Sequence, residues 1–328
     1  MKDKNILAIA LDIDDFLTTM ETRELKKRDW LDPVHHSKKH FLNVKFKHEG
    51  REYHVENLLV PGCIELFCFL FNHKNVRPAF FSSGVRDRNV ELGRMIVHQA
   101  VDLAGDSSWL DRYDVYSRED CFDTEGLRHH NHGIQDKFQP EDHFGNYKKD
   151  LRMIYYGREK YQELQQKTLY EDPSILLPNP EKDAEMLKNI VMVEEDSSYL
   201  FPGQEKNMLL CPTFFSQPYP YGINYDQDDL PPENKERFVD DFKKHNTLFY
   251  AAGVLERVFK RHDSEGISIP ELLWEEQGTL WIDGDRYDER YPKHFFEEGR
   301  AVLRQYNSEL NFLVPCQEKP ETPTFSRG

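Results

Sequence analysis

Long hydrophobic runs are missing from this 328-residue chain. No segment approaches the ~20 consecutive apolar residues that a helix needs to span a bilayer, which argues against integral membrane association. Positive charge is also in short supply: 43 Lys and Arg stand against 59 Asp and Glu, a formal net charge of -16. A balance of that sign repels phosphate backbones and anionic membrane surfaces, so nucleic acid is set aside as a partner. Cysteine is sparse. Cys63, Cys68, Cys121, Cys211 and Cys316 are scattered and odd in number, unlike a disulfide framework, and indicate free thiols in a reducing, cytoplasmic compartment. No internal repeat is present. The start, MKDKNILAIAL, imitates a signal peptide by placing lysines before an apolar run. That run stops at Asp12 with no small-residue cleavage site, so it reads as a core strand.

What is present suits a soluble chain that can bury a large core, either one big domain with additions or two domains. Ile6 to Leu11 is an unbroken apolar segment of strand length, the pattern of a parallel strand buried on both faces. VRPAFFSSG predicts a second buried strand that ends in hydroxyls. Further strands are predicted around Asp114 to Ser117, Asn189 to Val193 and Met208 to Cys211. Between the first two strands, FLNVKFKHEGREYHVENLLV carries a hairpin signal. CIELFCFLFN then places Ile64, Phe67, Leu70 and Phe71 on one side of a helix. Strands alternating with helical stretches predict an α/β fold with a doubly wound parallel sheet, Rossmann-like, carrying a small β-hairpin insertion. Ser216 to Asn234 reads as a surface connection. Beyond it, Leu248, Ala251, Ala252, Leu255 and Phe259 share one helical face, the start of a helical C-terminal extension.

Four polar clusters stand at or just after strand ends: Asp12 and Asp14, Ser82-Ser83-Gly84, Lys148-Lys149, and Glu194-Glu195-Asp196. Two carboxylates one residue apart repel each other unless a cation or proton lies between them, which suits a metal-assisted site at the carboxyl end of a sheet. Each cluster alone also suits something ordinary: a helix cap, a turn, a solvated helix start.

Taken in this order, the motifs resemble the haloacid dehalogenase (HAD) superfamily of aspartate-nucleophile phosphatases, and within it the FCP/SCP branch, phosphatases of the RNA polymerase II C-terminal domain. The resemblance is carried by DIDD after the first strand, the hairpin that follows, PGCIELFCFL, FFSSG, GNYKKDL and VEEDSSYLF. It covers roughly residues 1–215, a HAD-like core with insertions at about 40–60, 122–144 and 154–188, leaving 216–328 as linker and mostly helical region. It implies Asp12 as nucleophile, forming an aspartyl-phosphate, and Asp14 as general acid and then base. Ser82 and Lys149 would hold phosphoryl oxygens, with Lys148 as the rival lysine. The implied cofactor is Mg²⁺ on Asp12, the Asp14 carbonyl and Glu195, with Glu194 or Asp196 as alternatives. The implied activity is phosphate monoester hydrolysis on a phosphoprotein or phosphopeptide, because the first insertion is too small for a full lid. A small-molecule phosphatase and a catalytically weak binding module are the competing readings.

Three features depart from the branch: Phe16, whose ring is expected to crowd the turn after Asp14, glutamates in the fourth motif, and a long segment between Lys149 and Glu194. RHHNH (Arg128 to His132) lacks the cysteine or helical glutamate of a zinc site. DGDRYDERY (Asp283 to Tyr291) misplaces the glycine and final glutamate of a calcium loop and reads as an Asp-Gly turn. Cys121 has no phosphate cradle after it and reads as a buried thiol. The tail EKPETP suits the export signal of a bacterial effector, which would place the chain in a host cell.

Overall fold

The computed structural model describes residues 6–20, 41–124, 147–172, 174–212, 246–277 and 291–308. Along the chain, β1 (Leu7–Leu11) leads to β2 (Thr18–Met20), β3 (Phe41–His48) and β4 (Arg51–Leu59). Helix α1 (Cys63–Asn72) precedes β5 (Val76–Phe81) and the long helix α2 (Arg86–Ala104). After β6 (Asp114–Tyr116), β7 (Phe122–Asp123) and β8 (Tyr147–Lys148) come α3 (Arg152–Tyr156), α4 (Arg158–Tyr170) and α5 (Pro180–Leu187). Then follow β9 (Ile190–Glu194), β10 (Met208–Leu210), α6 (Thr247–Glu265), α7 (Ile269–Gln277) and α8 (Lys293–Leu303).

The central sheet is parallel, in the order β10-β9-β1-β5-β6. All five residues of β1 are buried, so both faces of the sheet need cover. Side-chain alternation divides them. Leu7, Ile9, Leu11, Val191 and Val193 enter one core with α1, α2 and the C-terminal helices. Ala8, Ala10, Ile190 and Met192 enter a second, closed by Met153, Ile154, Tyr161 and Leu187. The long segment after Lys149 is thus largely helical and covers the second face. This is the doubly wound α/β fold that the strand pattern predicts. The chain runs from β1 to β5 and β6 on one side and returns to β9 and β10 on the other, which puts a topological switch point at the carboxyl end of β1.

The hairpin belongs to a three-stranded antiparallel sheet in the order β2-β4-β3. Its turn is Glu49-Gly50, both at positive φ (48° and 77°), the backbone that matches the twist of a two-residue hairpin. β2 was not foreseen: three residues with no apolar run leave no strand signal. At the other end of the chain, Asn246 caps α6 by accepting from Leu248 N (2.7 Å) and donates to Pro61 O (3.1 Å), tying the helix to the turn before α1. α6 and α8 cross at Gly253 and Gly299. A Cβ on Gly253 would collide with the Phe295 carbonyl, and one on Gly299 with that of Phe249, so the crossing requires glycine on both helices. Among the described residues no helix is long and apolar enough to cross a membrane. RHHNH, the Ser216–Asn234 connection, Asp283 to Arg290, Cys316 and the EKPETP tail lie outside the described residues.

Candidate active site

The alternation that sorts the core also aims the acids. Asp12 continues β1 by donating its N–H to Val193 O (3.0 Å) and falls on the Ala8–Ala10 face. In β9 the same face carries Ile190 and Met192, and Glu194 follows. Because Leu11 pairs with Val193, Asp12 and Glu194 end up side by side, 4% and 1% exposed.

Lys149 completes the contact from a separate part of the chain. Its N–H donates to Tyr199 O (2.6 Å) and its carbonyl accepts from Phe201 N (3.2 Å), which clamps it beside the loop after β9. The ammonium donates to both Asp12 Oδ1 and Glu194 Oε2 and lies 5.1 Å from the centre of the Tyr199 ring. Behind it, the buried Asp150 carboxylate accepts from Arg152 Nη2 (2.7 Å), Tyr161 Oη (2.7 Å) and Gln204 Nε2 (2.8 Å), fixing the turn that presents the lysine. The paired lysines are therefore buried rather than a solvated helix start, with Lys148 turned to Ser198 O.

Ligand atoms of Asp12, Glu194 and Glu195 lie within 4.8 Å of one another. Two of the three carboxylates share the Lys149 ammonium, and Glu195 Oε2 is buried without a hydrogen-bond partner. Burial, followed by the Glu194 charge, pushes the Asp12 carboxyl well above its usual range despite Lys149. Burial, then Glu194 and Asp12, does the same to Glu195. Burial alone would lower the Lys149 ammonium, but Asp12, Glu194 and Glu195 together hold it above the ordinary lysine value. An all-oxygen cluster with surplus negative charge and an orphaned carboxylate oxygen could hold a hard divalent cation. Asp196 stands outside the trio: its carboxylate accepts from Ser198 N (2.9 Å) and caps a short 3-10 turn.

A second group forms at the mouth. The turn after Asp12 passes through Asp15 at φ 62°, and Asp14 faces the end of β5. Ser82 Oγ donates to Asp14 Oδ2 (3.0 Å) and accepts from Gly84 N (3.0 Å). Arg88, in the first turn of α2, donates from Nη1 to Asp14 Oδ2 (2.8 Å) and from Nη2 to Asp14 Oδ1, while Nη2 also reaches Asn57 Oδ1 on β4 (3.2 Å). Gly84 makes room for this: a Cβ there would meet Arg88 Nη1 and Asn89 Oδ1, each at 2.9 Å.

The Phe16 ring is fully buried in the first core, on the face of the sheet opposite to that of Asp12. Cys121 is buried, its thiol pushed up to about 12, chiefly by burial. Asp12, Glu194, Glu195 and Lys149 meet in one cluster, and Asp14 and Ser82 in the adjoining one. Tyr199 is the tyrosine of VEEDSSYLF. Arg88 and Asn57 carry no such mark: neither stands at a strand end with other polar residues, although Arg88 lies only one helical turn beyond SSG.

A scan of protein-family models and a search of curated proteins return no match. Among solved structures the chain resembles that of Fcp1, an essential RNA polymerase II CTD phosphatase, at 14% identity and a TM-score of 0.34. It also resembles fission yeast RNA polymerase II CTD phosphatase Fcp1, an arginine-to-alanine variant bound to beryllium fluoride, at 13% identity and a TM-score of 0.35. Both comparisons cover 93% of this chain, which spans 64% of the length of each Fcp1 chain. At these values the likeness assigns neither family nor activity, and the functional argument rests on the site.

Proposed function

We propose that this chain is a HAD-type phosphate monoester hydrolase that works through an aspartyl-phosphate on Asp12. One observation carries the reading: Asp12 is held by Lys149 and flanked by Glu194 and Glu195, while Asp14 and Ser82 stand at the open side of the same strand ends. A carboxylate attacking an anionic phosphoryl group must be oriented and the equatorial oxygen charge neutralised. The Lys149 ammonium orients Asp12 and has a further N–H for those oxygens, and Ser82 Oγ, whose one proton is given to Asp14 here, supplies another donor on turning from Asp14 to phosphate. As the Asp12 Oδ–phosphorus bond forms, the ester oxygen leaves with a proton from Asp14. Asp14 then takes a proton from water, whose attack on phosphorus releases Asp12 and phosphate. Asp12, Glu194 and Glu195 would hold Mg²⁺, which when bound neutralises phosphoryl charge.

A phosphoprotein or phosphopeptide is the proposed substrate. The Asp14 side chain is 34% exposed and, among the described residues, the sheet inserted between β1 and β5 has three strands, which supports a phosphorylated segment of chain as the group that reaches the mouth. Hydrolysis of p-nitrophenyl phosphate with Mg²⁺, with EDTA, and by Asp12→Asn tests the enzyme reading. Turnover by wild type alone, abolished by EDTA, is the expected result, and equal inactivity of both proteins would leave a binding module. Phosphopeptide and phosphometabolite panels then separate the two substrate classes, preferential hydrolysis of metabolites overturning the protein assignment.

A further inference from the structure

We infer that Arg88 is the positioning residue of Asp14, and that Asn57 couples the small antiparallel sheet to the site through it. This rests on the phosphatase reading above. The Arg88 side chain is 8% exposed against 34% for the carboxylate it grips. A guanidinium removed from water is costly unless its donors are met. Here both terminal nitrogens converge on Asp14, one oxygen each, while Nε is buried without a hydrogen-bond partner, so the cost of burial is met at the fork alone. The planar fork fixes direction as well as distance, which a point charge does not. Ser82 Oγ adds a third donor to the carboxylate, at Oδ2, and Asn57, fully buried on β4, accepts from Nη2 of the fork.

The geometry matters because Asp14 must serve the leaving oxygen and then a water from one place, and the fork, which favours the ionised carboxylate, bears most directly on the second step, where Asp14 is the base. It follows a strand on a short turn. Misplacement of a reacting group by ~1 Å costs about 10²-fold. Gly84 leaves room for the fork, since a Cβ there would come within 2.9 Å of Nη1 and that nitrogen would have to shift. A purely structural ion pair would affect stability and leave the chemical step alone.

The test compares kcat and KM for p-nitrophenyl phosphate in wild type, Arg88→Lys, Arg88→Ala and Asn57→Ala. Arg94→Met, on the exposed face of the same helix, is the control. kcat is expected to fall about 10²-fold in both Arg88 variants with KM little changed, because an ammonium cannot reproduce the fork. Asn57→Ala should give a smaller fall of the same kind. Added guanidinium should recover part of the kcat of Arg88→Ala and none of that of Arg88→Lys. If Arg88→Ala does not fold, Arg88→Lys carries the test through its kcat-against-KM split. Wild-type kcat in Arg88→Lys, or a loss confined to KM, overturns the inference and leaves the phosphatase reading standing. If wild type and Asp12→Asn are equally inactive, the phosphatase reading falls and this inference with it.

Discussion

Replacing Lys149 by methionine removes the ammonium that Asp12 and Glu194 share and keeps most of the side-chain volume. The lysine side chain is 2% exposed, and those of its partners are 6% and 1% exposed, so water cannot take its place without opening the site. Removing one partner of a buried pair costs ~3–5 kcal/mol, mostly from the charge left behind, and here two carboxylates are left with Glu195 close by. At about 2 °C per kcal/mol for a large domain, the melting temperature should drop by ~6–10 °C. A divalent ion opposes the loss by binding the variant, whose three carboxylates have no competing ammonium, more tightly than wild type: at saturating metal a 100-fold lower Kd narrows the gap by about 2.7 kcal/mol. Thermal unfolding in EDTA and in MgCl₂ therefore reads both halves of the argument. The gap between variant and wild type should be wide in EDTA and narrower with the metal. Lys167→Met, on an exposed i,i+4 pair, serves as the control and should change stability by no more than about 0.5 kcal/mol. If Lys149→Met melts with wild type in EDTA, the ammonium is not what holds these carboxylates together, and the reasoning fails.

Ser82→Ala deletes the hydroxyl between Asp14 and Gly84, and kcat for p-nitrophenyl phosphate should fall about 10²–10³-fold, as for loss of one preorganised donor. Gly299→Ala should destabilise the protein by at least ~1–3 kcal/mol in chemical denaturation, because its methyl group overlaps the Phe249 carbonyl and the two helices must separate. His73 packs edge-on against Phe69 (5.1 Å) and Phe259 (4.6 Å), and burial lowers its pKa against the opposing pull of Glu256 and Asp263. A depressed folded pKa means that the unfolded chain binds the proton more readily. The stability is thus present above the ordinary value of 6.5 and lost as pH falls from there through the folded value. His73→Phe should flatten that acid limb in denaturation midpoints measured against pH, and an unchanged limb would rule His73 out as its source.

How much of the site could be read in advance depends on how local its causes are. Asp12, Asp14 and Ser82 were legible because the end of a buried strand is marked by an abrupt change from apolar to polar residues. Lys149 was separable from Lys148 only by resemblance. In the structure the choice follows from the backbone clamp to Tyr199 and Phe201, fifty residues further on. For the fourth cluster a usable signal existed. Continuing the alternation of Ile190 and Met192 points Glu194 to the same face as Asp12, so Glu194 joins Glu195 in the trio, while Asp196 goes to a cap. Phe16 shows the reverse case. Next to the acids in sequence, its ring is nonetheless drawn into the opposite core, because burial of a large apolar side chain is worth more than any local tendency of the turn.

The sequence by itself determined the parallel sheet, its alternation between two apolar cores and the acids at the tip of its first strand, since these follow from the period-two geometry of a strand buried on both faces. Tertiary structure alone decided that Arg88, itself bonded to Asn57, would grip Asp14, that Lys149 would lie between Asp12 and Glu194, and that α6 would close on α8 through two glycines. Those partners come from elements far apart along the chain. Their meeting depends on how helices and the small sheet settle on the central one, and that is a property of packing which no stretch of residues carries alone.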